Sequence, residues 1–360
     1  MARSSSPTPT DPAQIIRQMS QELGFALRGV APAEPSQRGE YVRKWLHDGK
    51  HGEMAYLARH LDERLDPRKL LPGAKSVICV ADRYPPEVPN VSTDTHRPPT
   101  ATGQFARYAR GEDYHRVIKK RLHKLADALR DRWPEHEYRS AVDTAPILER
   151  EHAVRAGLGW IGKNTLLLHP KLGSWLLLGE IVTTLPIDWP VQTITDHCGS
   201  CTRCIDACPT QCLTPYRMDP RRCISYLTIE HRTAIDQALH QPMGHWLGGC
   251  DICQEVCPYN RLESSPTSLS LIEALTMDDQ SRKGHFRKSA LNRIKPDMLR
   301  RNAVIAAGNH LAHHEDVALR KRIEQIAADP DVPAMVRETA GQVIRRVSAN
   351  RGDRPKMGRL

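Results

Sequence analysis

The chain has 360 residues and a mass of 40.6 kDa, room for two or three modules, since single cores seldom exceed about 250–300 residues. Lys and Arg number 52 against 42 Asp and Glu, giving a net charge of +10 and a pI near 9.2, which permits a polyanionic partner without demanding one. No apolar run reaches the roughly 18–20 residues of a membrane span, the first residues lack a signal-peptide core, and the composition excludes collagen-like and wholly disordered classes, so a cytoplasmic, membrane-free protein is expected.

In chain order, residues 1–12 are rich in Ser, Thr and Pro and predict a disordered start. Residues 13–186 read as one mixed α/β domain. Ile15, Met19 and Leu23 recur at helical spacing after the Asp11-Pro12 start signal. SVICVA, around the lone Cys79, predicts a buried strand over 76–82, and the Pro/Thr/Asn-rich stretch 86–103 a long loop. A strong amphipathic helix is expected over 113–132, with Val117, Ile118, Leu122, Leu125 and Leu129 on one face and basic residues around the others. A second helix over 146–156 runs into the glycine-rich turn GLGWIGKN, and the apolar run at 175–185 predicts another strand, ended by Pro186.

Nine of the ten cysteines fall between Cys198 and Cys257, in a stretch, 187–263, too poor in apolar residues for an ordinary core. Cys198-x2-Cys201-x2-Cys204-x3-Cys208-Pro209 is the bacterial ferredoxin run for a 4Fe–4S cluster, and its fourth cysteine ligates the other cluster in two-cluster ferredoxins. Cys250-x2-Cys253-x3-Cys257-Pro258 repeats the end of that pattern. Pseudo-symmetry then gives Cys198, Cys201, Cys204 and Cys257 to cluster one, and Cys208, Cys250 and Cys253 to cluster two. Either Cys223 or Cys212 completes cluster two; Cys223 is preferred, because Cys212 lies only four residues past Cys208. Tetrahedral zinc is the rival reading of CxxC pairs, but four cysteines in eleven residues with two Cys-Pro steps suit a two-cluster ferredoxin-like domain better. Cys79 and Cys212 are expected to be ordinary thiols.

Residues 264–295 read as a basic linker. Over 296–348, Ala, Leu, Val and Ile at helical spacing predict tandem short helices of HEAT-like type, followed by a basic flexible tail, 349–360. The fold class is therefore α+β and multidomain. No GxGxxG, Walker loop or cobalamin-binding DxHxxG is present, so motif chemistry alone stops at a two-cluster electron wire fused to an acceptor domain.

The blocks VDTAPILEREHAVRAGLGWIGKNT, GSWLLLGEI, HCGSCTRCIDACPT, CISYLTIEHR and GCDICQEVCPYN, with LDPRKLLPGAKSVI and YARGEDYHRVIKKRL upstream, resemble epoxyqueuosine reductase over roughly residues 15–347. The resemblance implies a base-off cobalamin in the N-terminal domain beside two 4Fe–4S clusters. It also implies reduction of the epoxide of epoxyqueuosine at the tRNA wobble position to queuosine, with an external ferredoxin- or flavodoxin-type donor. Asp143 in VDTAP matches the family's proton donor, which implies a desolvated carboxyl with a raised pKa. Arg64, Lys163, Leu167, Leu178, Ser225 and Asp251 match cobalamin-facing positions. Ala145 stands where the family often has Gly.

tRNA binding is expected to be electrostatic first. The candidates are the basic stretch holding Arg287, Lys288, Arg300 and Arg301, the 116–124 helix face, and His231 with Arg232. A monomer is expected. A reductive dehalogenase shares the corrinoid and cluster logic but has no use for a basic helical segment. A non-catalytic electron carrier has no use for the Asp143 block.

Overall fold

A computed structural model describes residues 11–84, 101–109, 111–260 and 267–352. The first ten residues, most of the expected 86–103 loop, the start of the expected linker and the tail from 353 lie outside the described residues.

The N-terminal part is built on one antiparallel sheet in the order Leu27–Pro32, Ser76–Arg83, Leu176–Thr183, Tyr138–Ala141. Its two central strands read as continuous apolar runs because helices cover both faces. On one face Ile78, Val80 and Ile181 pack against Ile15 and Ile16 of the Pro12–Glu22 helix and Ile118, Leu122 and Leu125 of the Tyr114–Arg130 helix. Gly179 permits this approach, since a Cβ there would lie 2.7 Å from an Ile118 methyl. On the other face Val77, Cys79, Leu178 and Val182 pack against the Glu149–Arg155 helix through Ala153. Cys79 is fully buried there, the inert core thiol expected.

Both long helices start where the sequence signals them. Asp11 accepts the Ala13 N–H at 3.0 Å, with Pro12 in the first turn. Asp113 accepts the His115 N–H at 3.0 Å.

The expected 86–103 loop ends in a strand, Thr102–Phe105, that leaves this sheet. It pairs in parallel with Trp246–Gly248 and antiparallel with Thr267–Ser270. Phe105 and Ala109 accordingly join the C-terminal helical core with Leu247, Leu271, Leu299 and Val304. The stretch read as a basic linker is also folded where described. The helices Leu271–Thr276 and Asp279–Phe286 bury Leu271, Leu275 and Phe286, and charge counting hid these anchors among the lysines and arginines. Three helices follow, Pro296–Leu311, Val317–Ala328 and Ala334–Gly352.

One expected tRNA contact is corrected here. Arg301 is fully buried, and its guanidinium donates to the carbonyls of Leu227, His231 and Thr233 and to Asn302 Oδ1. It ties the first C-terminal helix to the stretch between Cys223 and Cys250. Each carbonyl orphaned by its loss costs about 1–3 kcal/mol. Arg301→Leu should therefore lower unfolding free energy by roughly 3 kcal/mol or more, read as a denaturant midpoint, and leave the salt dependence of tRNA binding unchanged.

Candidate functional site

Asp143 sits two residues beyond the edge strand Tyr138–Ala141, with φ at +40°, a conformation uncommon for a residue with a side chain. Such strain gathers where position matters more than comfort. The turn is braced from inside, because the Asp143 N–H donates to the Glu149 carboxylate. The Asp143 side chain is turned outward and remains 39% exposed. Its Oδ2 lies 2.8 Å from His115 Nε2, and His115 Nδ1 lies 2.6 Å from Asp113 Oδ1.

The charges around Asp143 come from both halves of the chain. Arg293 reaches it from the C-terminal segment and is itself anchored on Glu230, which also accepts from Tyr56 Oη at 3.4 Å. Tyr114 adds a hydrogen bond. Arg64 faces the same group of acids, with Tyr56, Glu149 and Asp143 all acting on it. Its Nε is buried without a partner, and burial pulls its pKa down.

These surroundings reverse one expectation. Burial works to raise Asp143, but the His115 hydrogen bond and charge, with Arg293 and Tyr114, hold it below the ordinary carboxylate value. His115 moves the other way: burial would lower it, and its bonds to Asp143 and Asp113 outweigh burial and raise it. The shared proton of the resting pair therefore sits on the imidazole. Behind Asp143, burial and the Asp143 charge push Glu149 up to about 7. Glu180, fully buried on the central strand with neither oxygen partnered, is pushed well above its usual value by burial and by Glu149 and Asp143.

The other expected cofactor-facing residues divide. Leu167 and Leu178 are buried in one cluster with Ile147 and Ala145, next to the Asp143 turn. Ser225 is half-buried at the start of the Ile224–Ile229 helix. Lys163 has a different employment. Its ammonium donates to the carbonyls of Gly199 at 2.6 Å and Cys201 at 3.0 Å, fastening the first cysteine loop to the N-terminal domain. Asp251 is 1% exposed, and its carboxylate accepts from the Arg107 backbone N–H at 2.8 Å and guanidinium at 2.9 Å. It is the buried counter-charge of Arg107, one residue past Cys250.

The cysteines gather into two groups. Burial raises the Cys204 thiol, and Cys257, Cys198 and Cys201 raise it further. Cys253 is raised by burial and then by Cys223, Cys204 and Cys208, while Cys250 feels Cys223 and Cys253. Cys212 lies with its sulfur 3.4 Å from that of Cys208 and in contact with Cys223. The loops are held by side chains chosen for that purpose. Asp196 accepts the Cys198 N–H at 2.7 Å, and Asn260 ties Ser174 to Gln254.

Among the expected tRNA contacts, Arg232, Arg287 and Lys288 are exposed, whereas His231 and Arg300 are half-buried. Glu53 fixes the His231–Arg232 turn by accepting the Arg232 N–H at 2.7 Å. His115, Glu149, Glu180, Tyr56 and Glu230 were missed as site residues. The one local signal was a histidine two residues past a capping aspartate in GEDYHR.

Comparison with known proteins places this geometry. Residues 64–144 match the family model for epoxyqueuosine reductase QueG, DUF1730, and residues 197–260 that for a 4Fe-4S double cluster binding domain. An epoxyqueuosine reductase of Xanthomonas campestris is 44% identical over 71% of this chain and 72% of its own length. One from Cyclobacterium marinum is 40% identical over 80% and 94%. The solved epoxyqueuosine reductase of Streptococcus thermophilus superposes with a TM-score of 0.80 at 30% identity, covering 95% of this chain and 94% of that one. An epoxyqueuosine reductase solved with an epoxyqueuosine-modified tRNA-Tyr stem loop gives 0.81 at 26% identity, covering 96% and 94%. Sequence identity along most of the chain and agreement of the whole fold lead to one conclusion: the chain belongs to the epoxyqueuosine reductase family of oxidoreductases.

Proposed function

We propose that the chain performs its family's reaction with the parts described above. It reduces the epoxide of epoxyqueuosine in tRNA to queuosine, with Asp143 as the proton donor. The observation that carries this reading is the Asp143 turn: a carboxylate in strained backbone, open to solvent, between a histidine and an arginine drawn from opposite halves of the chain. Opening an epoxide develops charge on oxygen, and a positioned acid at that oxygen contributes typically ~10²–10⁴-fold.

The residues fit two 4Fe–4S clusters. Cys198, Cys201, Cys204 and Cys257 would hold cluster one, and Cys208, Cys223, Cys250 and Cys253 cluster two; the thiol groupings around Cys204 and Cys253 support that partition. Cys223 is favoured over Cys212 because it acts on both Cys250 and Cys253, whereas Cys212 lies against Cys208 and Cys223.

Base-off cobalamin fits as well. The unpartnered, buried Arg64 Nε, Asn164 Nδ2 and Glu180 carboxyl call for polar partners, which corrin amides and the nucleotide phosphate would provide. Leu167, Leu178 and Ser225 would complete its surroundings. A bound cobalamin would supply the low-potential metal centre that hands electrons to the epoxide.

Electrons would arrive from an external ferredoxin- or flavodoxin-type donor. A depression of about 840 Å³ beside Cys257, lined by Arg203, Asp206, Ala207 and Pro258 among others, gives such a donor an approach to cluster one. The exposed Arg232, Arg287 and Lys288, with the C-terminal helices read as a HEAT-like segment, would meet the tRNA backbone. Among the described residues no helix is long and apolar enough to cross a membrane. A cytoplasmic monomer is the state proposed.

The test is direct. Protein reconstituted anaerobically with iron, sulfide and cobalamin, given a low-potential reductant and tRNA bearing epoxyqueuosine, should convert that nucleoside to one lighter by an oxygen, read by mass spectrometry. An unchanged nucleoside with fully loaded protein refutes the reading.

A further inference from the structure

Reduction of an epoxide to an alkene breaks two C–O bonds. It takes up two electrons and two protons and releases the oxygen as water. Asp143 carries one carboxyl and so holds one proton at a time. A site with a single acid must reload it within the turnover or draw the second proton from bulk water past the bound substrate.

The structure supplies a reloading path. His115 Nε2 lies 2.8 Å from Asp143 Oδ2, and the other ring nitrogen lies 2.6 Å from Asp113 Oδ1. Asp113 is itself fixed. It caps the Tyr114–Arg130 helix, and its N–H donates to the Lys288 carbonyl. The imidazole is thus bonded at both nitrogens to carboxylates on rigid supports, the arrangement in which each nitrogen carries a proton. The ring stacks on Tyr114 at 3.9 Å between centroids, which locks its plane, and its side chain keeps 22% of its surface for exchange with solvent.

We infer that His115 is the positioning residue that loads Asp143, passing it each proton of the turnover along the Asp113–His115–Asp143 hydrogen-bond chain. This rests on the reading of Asp143 as proton donor. Asp143 rests as a carboxylate, takes the His115 Nε2 proton on Oδ2 and gives it to the epoxide oxygen as the first C–O bond breaks. His115 regains a proton from solvent, and that proton crosses from Nε2 to Oδ2 in turn. Asp143 then protonates the departing hydroxyl as the second C–O bond breaks and water leaves. Both electrons come from a low-potential one-electron donor, and His115 regains its proton from solvent. Asp113 holds the ring through Nδ1, much as a buried aspartate orients a catalytic histidine elsewhere.

The pH dependence has a definite sign. The groups facing the pair are Asp113 and Tyr114 on the histidine's own helix, Asp143 and Glu149 from the turn opposite, and Arg293 from the C-terminal segment. The imidazolium is present at low pH and is lost as pH rises through the elevated His115 value, so turnover by the wild-type protein should fall on the alkaline side. The readout is turnover against pH on loaded protein with modified tRNA. His115→Gln should lower kcat by roughly 10–100-fold, within the range of general acid effects. It should also remove that alkaline limb and leave KM for tRNA unchanged.

Asp113→Asn keeps the helix cap, because Asn caps as well as Asp. It removes the charge behind the ring and should shift the limb to lower pH. Imidazole added to His115→Ala should restore part of the lost rate.

Wild-type kcat and an unaltered alkaline limb in His115→Gln overturn the inference. So does an unmoved limb in Asp113→Asn, which decides the matter should the His115 variants fail to fold. Asp143→Asn keeps the two levels apart. If it turns over normally the donor reading itself fails; if it is inactive while His115→Gln behaves as wild type, only the reloading path fails.

Discussion

Asp143→Asn is expected to retain both clusters and bound cobalamin, by iron content and visible absorption, while turnover falls by about 10²–10⁴-fold. The amide fills the same space and leaves the backbone N–H bond to Glu149 in place, so the turn should survive. What is lost is the acidic oxygen that faces His115. The His115 imidazole would then face an amide rather than a carboxylate, and its pKa should fall, because the Asp143 hydrogen bond and charge raise it together with those of Asp113. Titration of His115 by NMR in the variant would show this fall directly. A normal rate in Asp143→Asn would move the chemistry elsewhere in the site. Loss of cofactor would make Asp143 a scaffold residue.

The second large effect concerns cluster two. Cys223→Ala should remove half of the iron and sulfide, whereas Cys212→Ala should leave both at full content. The reason is geometric. Cys223 precedes the Ile224–Ile229 helix with its thiol acting on both Cys250 and Cys253, while Cys212 is 6% exposed and pressed on Cys208. Loss of one ligand costs more than a bond, since metal binding in so lean a domain is also folding energy. Cys223→Ala should therefore lose reductase activity and unfold at lower denaturant concentration, with the segment 197–260 becoming protease-sensitive. Equal iron in the two variants, or loss in Cys212→Ala alone, would reverse the assignment.

The parts of this molecule legible in advance were those with local causes. The strand around Cys79, the Tyr114–Arg130 helix and the Glu149–Arg155 helix follow from apolar periodicity and capping, and each lies within a few residues of its expected span. The cysteine spacing is local chemistry too. The misreadings share one origin, which is that composition gives no direction. Arg301 sits among basic residues and counts as surface charge until its guanidinium is found spent on buried carbonyls. The 264–295 stretch looked like a linker because its anchors, Leu271, Leu275 and Phe286, are sparse among charges. Lys163 and Asp251, matched to cofactor-facing positions by resemblance, also make hydrogen bonds that tie cysteine-bearing loops to the rest of the fold.

The net charge of +10 and the crowding of nine cysteines into sixty residues were fixed by the sequence alone, and with them a polyanion-tolerant, cluster-bearing protein. Resemblance in the VDTAP and GWIGKNT blocks added the reaction. Only the tertiary structure decided which charges face solvent and which proton belongs to which group. Asp143 sits 28 residues from His115 and 150 from Arg293, and no periodicity links them. Desolvation and charge act through space and over a few ångströms, so the sign of the Asp143 shift, opposite to what desolvation alone would give, existed nowhere in the chain until the fold brought His115 to it.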